Sequence, residues 1–274
     1  MNLNRSSAAQ LGREIVRILE AGRYTNPAGA VVEIGDLLKR SVEGVRSFPP
    51  DHGLPAVSPG VHQTDIEVAN ESTLAAARRL VQLGLRPVAL NFASAKHPGG
   101  GFLSGARAQE ESLARSSGLY ACLVGNPMYD FHQTHSDPMY SHYAIYSPDV
   151  PILRDDEGRL LSKPYLCSFI TAPAVNAKMV LERNRSARAR IREAMRLRIG
   201  KVLRIAATYG HEELVLGAWG CGVFGNDTRE IAELFHQALT GDFRGVFRRV
   251  VFAILDWSAE RRFIGPFAAV FKTS

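Results

Sequence analysis

The apolar residues of this chain follow two periodicities, one typical of helices and one typical of buried strands. Helical spacing with charged residues between the apolar ones predicts an amphipathic helix within residues 1–22, and its apolar positions are Leu11, Ile15, Ile18 and Leu19. Further helices are predicted over residues 185–207 and 227–239. The segment 64–85 predicts a strand that runs into a helix, with Ser72 or Asn70 as the N-cap.

Short apolar runs between these helices predict the strands of a sheet. They are "RPVALNFAS", "HYAIYSPDVPIL", "YLCSFITAP", "ELVLGAW" and "FRRVVFAILD". Strands that alternate with helices predict an α/β sandwich around a mixed, mostly parallel sheet. We interpret the chain as a single domain, with residues 1–60 as an N-terminal helical extension and residues 61–274 as the core.

Composition narrows the class of protein. The chain has 274 residues, of which 46% are hydrophobic and 22% are charged, as in ordinary globular proteins. Three cysteines are scattered without metal-ligand spacing, and no secretory signal or apolar span is evident, which favours a cytoplasmic protein without a disulfide framework. The net charge of +6 favours an anionic partner.

A run of three glycines follows one predicted strand directly. Gly99, Gly100 and Gly101 come after "VALNFAS", and a helix predicted to begin near Ala106 then carries Glu110 and Glu111. Exposed backbone N–H groups and the positive end of a helix could bind a phosphate or a sugar. The spacing is neither that of a P-loop nor G-x-G-x-x-G. A tight connection with a purely structural role is the alternative.

A second glycine loop follows "ELVLGAW" and precedes the helix at 227–239. Its candidate ligand-binding residues are Gly220, Cys221, Gly222, Val223, Phe224 and Gly225. Two such loops side by side could hold a diphosphate between them. We interpret the Cys221 thiol as a packing group, because the sequence supplies no neighbouring base.

The order GGG, seven residues, QEE resembles the signature of the bacterial-type poly(ADP-ribose) glycohydrolases of the macrodomain superfamily. The second loop looks like a macrodomain phosphate loop, in which Val223 and Phe224 would close over the diphosphate and the distal ribose. The resemblance covers roughly Thr64 to Asp256. It implies a macrodomain-like three-layer sandwich and hydrolysis of ribose–ribose bonds, with no metal and no cofactor.

The resemblance also implies roles for single residues. Glu111 matches the family's catalytic acid, which protonates the leaving hydroxyl and then deprotonates water. Glu110 would hold ribose hydroxyls. Asn91 and Ser94 fall where macrodomains hold the distal ribose and position the loop, and Gln109 is interpreted as structural. For adenine, Glu67 or Glu71 is the candidate acceptor of a hydrogen bond from the exocyclic amine.

The implied partners are poly(ADP-ribose) and ADP-ribose, with ADP-ribosylated proteins as further candidates; neither a membrane nor direct DNA binding is expected. A macrodomain that only binds ADP-ribose, or a hydrolase of another ADP-ribose linkage, remains the alternative. His132, His135 and His142 are interpreted as ordinary loop histidines rather than metal ligands, because their spacing is not H-E-x-x-H. The basic run at 183–204 is either a solvated helix face, which we favour, or a platform for polymer phosphates.

Overall fold

The computed structural model describes residues 4–272. The helices are α1 (Arg5–Ala21), α2 (Gly35–Glu43), α3 (Thr73–Gln82), α4 (Gln109–Ser116), α5 (Leu119–Leu123), α6 (Pro127–Thr134), α7 (Ala177–Arg183), α8 (Arg188–Thr208), α9 (Thr228–Thr240) and α10 (Ile264–Phe271). The strands are β1 (Arg23–Thr25), β2 (Val31–Glu33), β3 (Arg46–Phe48), β4 (Asp65–Ala69), β5 (Val88–Phe92), β6 (Ala144–Arg154), β7 (Leu160–Ala172), β8 (Glu213–Leu216) and β9 (Arg249–Ala253).

The main sheet is mixed and mostly parallel, as predicted. Its strand order is β3-β6-β7-β5-β8-β9-β4. The pairs β7–β5, β5–β8, β8–β9 and β9–β4 are parallel, whereas β3–β6 and β6–β7 are antiparallel. The parallel strands therefore place their carboxyl ends at one edge of the sheet, where the loops of an α/β fold bind ligands.

The sheet lies between two layers of helices. On one face, Val88 and Leu90 of β5 pack in a cluster with apolar residues of α8, α9 and α10. On the other face, Ala89 packs with residues of α3, α5 and α6. Successive residues of a strand point to opposite faces, so the run "VALNF" is buried on both sides. The predicted three-layer sandwich is confirmed.

Local signals set the ends of several helices. Asn4 caps α1 by accepting a hydrogen bond from the Ser7 backbone N–H at 2.8 Å, and Gly22 ends it with φ of +65°. Ser72 caps α3 through a 3.0 Å bond from the Ala75 N–H, which decides between the two predicted caps.

The N-terminal extension packs against the loop that carries the three glycines. Ile15 and Ile18 of α1 share a core cluster with Phe102, and the Arg5 Nε donates to the Ser104 carbonyl at 3.0 Å. A Cβ on Gly12 would lie 2.7 Å from the Phe102 carbonyl oxygen, so the helix approaches this turn as closely as glycine permits. The extension also supplies β3, which forms one edge of the main sheet.

Two predicted helix starts were early. The helix expected near Ala106 begins at Gln109, because residues 102–104 form a short 3-10 turn first. The helix expected from Arg185 begins at Arg188, after a turn in which Asn184 accepts from the Ser186 N–H at 3.0 Å. No helix within residues 4–272 is both apolar enough and long enough to cross a membrane.

Candidate active site

The two glycine loops follow neighbouring strands. β5 and β8 pair in parallel, with Val88 opposite Leu214, so the loops that follow them leave the sheet at the same edge. The predicted side-by-side arrangement is confirmed. The first loop then leads through the Phe102–Ser104 turn into α4, and the second leads into α9.

Gly100 occupies the space where two carboxylates converge. Its φ is +60°, and a Cβ at this position would lie 2.3 Å from the Glu111 Oε1 and 3.0 Å from the Glu110 Oε2. Neighbouring residues of a helix project about 100° apart. These two side chains nevertheless reach the same glycine, because the loop folds back over the first turn of α4. Only glycine provides both the conformation and the room.

Glu111 holds the loop with one oxygen only. Its Oε1 accepts a hydrogen bond from the Gly101 N–H at 2.9 Å. Its Oε2 is buried, and among the described residues it has no hydrogen-bond partner. Because a buried oxygen without a partner is costly, this atom is a natural contact for a ligand hydroxyl or glycosidic oxygen.

Glu110 is more deeply buried, with 3% of its surface exposed. Its Oε2 accepts from the Ser94 N–H at 2.6 Å, and its Oε1 faces the Asn91 Nδ2 at 3.4 Å. Burial, followed by the neighbouring charge of Glu111, raises the pKa of Glu110 to about 8, although the hydrogen bonds oppose the shift. The carboxyl of Glu110 is therefore mostly neutral at pH 7.

The polar residues around the glutamates join β5 to α4. The Gln109 side chain accepts from the Phe92 N–H at 2.9 Å and donates to the Leu90 carbonyl at 2.8 Å. Ser94 accepts through its hydroxyl from the N–H groups of Lys96 and His97, at 3.3 and 3.2 Å. These bonds hold the strand end, the loop and the helix start in a fixed relation.

The second loop is tight at its start and open at its middle. Gly220 has φ of +74°, and a Cβ there would lie 2.5 Å from the Ala174 Cβ. A Cβ on Gly222 would meet no atom within 4 Å, and Val223 is 84% exposed. Phe224 is half-buried, with its ring 6.0 Å from that of Tyr140. Such an open backbone segment is accessible to a ligand.

Cys221 lies in the second loop but points into the core. Its side chain is buried, and burial raises the pKa of its thiol to about 12. A thiol in this state is a packing group at neutral pH. Gly225 has φ of +67° and lies against Lys178, where the loop turns towards α9.

Sequence reasoning missed three residues that surround the glutamates. Thr171 of β7 lies opposite Asn91 in register and accepts from its Nδ2 at 3.2 Å. Arg115, four residues after Glu111, donates to the Ala106 carbonyl at 2.5 Å. Tyr129 is buried near Glu110, and burial raises its pKa. The i, i+4 spacing could have indicated Arg115, whereas Thr171 and Tyr129 depend on strand and helix packing.

The guessed adenine residues already have partners. Arg79 of α3 forms ion pairs with Glu67 at 3.0 Å and with Glu71 at 2.7 Å. Either carboxylate would therefore have to bind adenine while it remains paired with the Arg79 guanidinium.

The prediction that His132 lies in a loop was wrong, because this residue is in the last turn of α6. Asn126 caps the start of that helix, and Pro127 is its first residue. Its Nδ1 contacts the Met128 carbonyl at 2.9 Å, and its Nε2 accepts from the Ser141 N–H at 3.2 Å. Within residues 4–272 no three His, Cys, Asp or Glu side chains are grouped as metal ligands would be.

Comparison with known proteins identifies the family. A model described as microbial-type PARG, catalytic domain, matches residues 12–155, where PARG is poly(ADP-ribose) glycohydrolase. The chain belongs to this family. The matched segment contains both the glycine run and the QEE sequence, so the residues with the converging carboxylates lie within the PARG match.

Solved PARG structures cover the second loop as well. The poly(ADP-ribose) glycohydrolase of Thermomonospora curvata is 49% identical, with a TM-score of 0.92, over 97% of this chain and 100% of that one. The same enzyme bound to the inhibitor ADP-HPD is 48% identical, with a TM-score of 0.90, over 97% of this chain and 99% of that one. The Deinococcus radiodurans enzyme in complex with ADP-ribose is 42% identical, with a TM-score of 0.83, over 86% of this chain and 97% of that one. A search of curated protein sequences found no match.

Proposed function

We propose that this chain hydrolyses the ribose–ribose O-glycosidic bonds of poly(ADP-ribose) and releases ADP-ribose, with Glu111 as general acid and then general base. One observation carries the assignment of roles. Both carboxylates converge on Gly100, and the Glu111 Oε2 is buried without a partner among the described residues. Membership of the microbial-type PARG family supports the substrate.

The reaction needs one proton donor that can become a base. In the complex with the substrate, the carboxyl of Glu111 carries the proton and gives it to the oxygen of the leaving ribose while positive charge develops at the anomeric carbon. The resulting carboxylate then takes a proton from the water that attacks this carbon. The Gly101 N–H, 2.9 Å from the other oxygen, keeps the carboxyl in one orientation through both steps.

Glu110 has a different role in this proposal. Because its pKa is raised to about 8, its carboxyl is neutral over most of the physiological range and both donates and accepts hydrogen bonds. It orients ribose hydroxyls beside Glu111 and fixes the Ser94 backbone. The first loop and the second loop, through Gly222, Val223 and Phe224, bind the diphosphate and the distal ribose.

The whole chain would act as one catalytic domain, since the extension of residues 1–60 packs against the Phe102 turn and contributes β3 to the main sheet.

Membership of the PARG family supports ADP-ribosylated proteins as carriers of the polymer. The three unpaired cysteines support a cytoplasmic location.

The deciding experiment measures release of ADP-ribose from the polymer in the presence of EDTA, together with calorimetric binding of ADP-ribose. Glu111→Gln should bind ADP-ribose and lose about 10²- to 10⁴-fold in kcat, the range for loss of a general acid–base. Glu20→Gln, an exposed charge-matched control on α1, should behave as the wild type. A wild type that binds ADP-ribose but leaves the polymer intact would instead be a reader or act on another linkage.

A further inference from the structure

The corner between α7 and α8 concentrates positive charge, most of which has no ion-pair partner within residues 4–272. Residues 177–192 contain six basic side chains and one acidic one, in a chain whose net charge is +6. Within the described part of the chain, four of the exposed arginines form no ion pair. We call them the basic corner: Arg183, Arg185, Arg188 and Arg190.

The charges further along α8 are different. Arg192 pairs with Glu230 at 3.3 Å, and Arg196 pairs with Glu193 at 2.7 Å. The buried face of the helix contains Ile191, Ala194 and Met195. The exposed arginines without an ion pair therefore cluster at the start of α8, whereas Arg204 near its other end is only partly exposed.

Lys178, which precedes the basic corner on α7, lies against the second glycine loop. The Lys178 N–H donates to the Phe224 carbonyl at 2.9 Å, and the Cβ of Lys178 lies 3.4 Å from the position of a Cβ on Gly225. Glu230, the partner of Arg192, stands in the first turn of α9, directly after this loop. The helix α7 has seven residues and is therefore about 10 Å long, so the arginines continue outward from the loop that is proposed to hold the diphosphate.

A shallow surface cavity lies beside the basic corner, and Arg190 belongs to both. It has a volume of about 410 Å³, and its lining includes Met139, His142, Arg190 and Leu197. Met139 precedes Tyr140, whose ring is 6.0 Å from Phe224. The buried Nδ1 of His142 has no hydrogen-bond partner among the described residues. Glu193 also lines the cavity, and its carboxylate is paired with Arg196 at 2.7 Å. Apolar walls, one ring nitrogen and the guanidinium of Arg190 suit a heterocyclic base attached to a phosphate.

The scaffold of this surface is held in place. Arg198 is buried, and its guanidinium donates to the Pro173 carbonyl at 3.0 Å and to the Met139 carbonyl. The Asn176 N–H donates to the Pro138 carbonyl at 3.0 Å. These bonds tie the segment of Met139, the start of α7 and the middle of α8 together, so a ligand would meet a preorganised surface.

We propose that the basic corner and the adjoining cavity form a second subsite for poly(ADP-ribose), which binds a unit of the polymer next to the one in the active site. The proposal rests on the proposed function. Each unit carries a diphosphate, which guanidinium groups bind with charge-assisted hydrogen bonds, and an adenine, which suits the cavity. Continuity with the second glycine loop favours this polymer over a nucleic acid as the ligand.

The test compares two triple variants that remove the same charge. Arg185→Gln, Arg188→Gln and Arg190→Gln together remove three charges from the corner. Arg46→Gln, Arg86→Gln and Arg244→Gln together remove three exposed charges at or before the amino ends of β3, β5 and β9, away from the edge with the loops. Binding of long polymer and of free ADP-ribose is measured in the Glu111→Gln background, and steady-state kinetics are measured with a two-unit oligomer and with long polymer.

The corner variant should bind long polymer about three- to tenfold more weakly, as expected for three exposed ion pairs. Its KM should rise on the two-unit oligomer and on long polymer, because both place a unit next to the one in the active site. Its salt dependence should flatten, with the slope of log Kd against log salt smaller by about 2. ADP-ribose binding and kcat on the two-unit oligomer should stay unchanged, and the control variant should match the wild type.

Equal binding of long polymer by the corner and control variants would overturn the second subsite. So would single-stranded DNA with the same number of phosphates, if it binds the wild type as tightly as the polymer and loses affinity equally in the corner variant, because the surface would then bind any polyanion. A wild type that cleaves neither substrate would contradict the proposed function, while the binding comparison would still test the subsite.

Discussion

The two glycine loops leave the sheet at the same edge, yet their glycines serve opposite purposes. In the first loop, Gly100 makes room for the protein's own carboxylates, which lie within 3.0 Å of where its Cβ would be. In the second loop, Gly222 has no protein atom near the position of a Cβ, and Val223 next to it is 84% exposed. The first loop is thus packed against the protein's own carboxylates, whereas the second leaves its backbone accessible.

The largest expected difference between the loops is the loss of kcat when a glycine in each loop is replaced by alanine. Gly100→Ala should lower kcat by about 100-fold or more, because the Cβ must displace Glu111 and the φ of +60° is strained for alanine. Gly222→Ala, the matched change in the second loop, should keep kcat and raise KM at most a few-fold. Steady-state kinetics on poly(ADP-ribose) decide; an equal loss of kcat in both variants would contradict the comparison.

The rigidity of the first loop should also appear in stability. Gln109→Ala removes a side chain that bonds the backbone of Leu90 and Phe92, so it should lower the free energy of unfolding by about 1–3 kcal/mol. Urea denaturation measures this, with the exposed Gln82→Ala of α3 as the control. A loss no larger than that of the control would mean that the loop and α4 do not depend on this link.

A change in the second loop should weaken ligand binding without lowering the stability of the protein. Val223→Ala should raise KM and weaken ADP-ribose binding about three- to tenfold through lost apolar contact with the ligand. Its melting temperature should match that of the wild type, since surface changes alter stability little. Val31→Ala in β2, at a residue that is 60% exposed, is the control. Unchanged binding by Val223→Ala would remove this residue from the ligand site.

The last expected effect is a pH dependence of stability. The pKa of Glu110 is raised from 4.5 to about 8 in the folded protein, so the folded state holds a proton that the unfolded chain releases earlier. Stability should therefore fall as the pH rises from about 4.5 to about 8, and level off above that range. Melting curves of the wild type and of Glu110→Gln should diverge across this window; parallel curves would show that Glu110 ionises normally.

The sequence was enough for the sheet, the long helices and the adjacency of the loops, because these follow from periodicity and from the order of strands and helices. The sequence did not predict the short elements, whose geometry depends on a few residues. The 3-10 turn at Phe102–Ser104 delayed α4 to Gln109, and α6 was missed because its eight residues show little periodicity. Short elements depend on tertiary contacts that a sequence pattern does not contain.

The sequence indicated which residues could form the candidate site, but it did not predict how they are arranged. The QEE sequence indicated both glutamates, but helix geometry alone suggested that they diverge. Their meeting at Gly100 depends on how the loop folds over α4, with the Gly101 and Ser94 backbone as anchors. Thr171 shows the same limit, since its contact with Asn91 requires the pairing of β5 with β7.

The close fit of α1 against the Phe102 turn means that the sequence boundary at residue 60 is not a boundary in the packing. A Cβ on Gly105 would lie 2.1 Å from the Arg5 carbonyl, and one on Gly12 would lie 2.7 Å from the Phe102 carbonyl. In a chain that began at residue 61, the side of the Phe102 turn that now packs against α1 would be exposed to water. The N-terminal helix is distant from the first glycine loop along the sequence, but in the fold it packs directly against the turn that follows this loop.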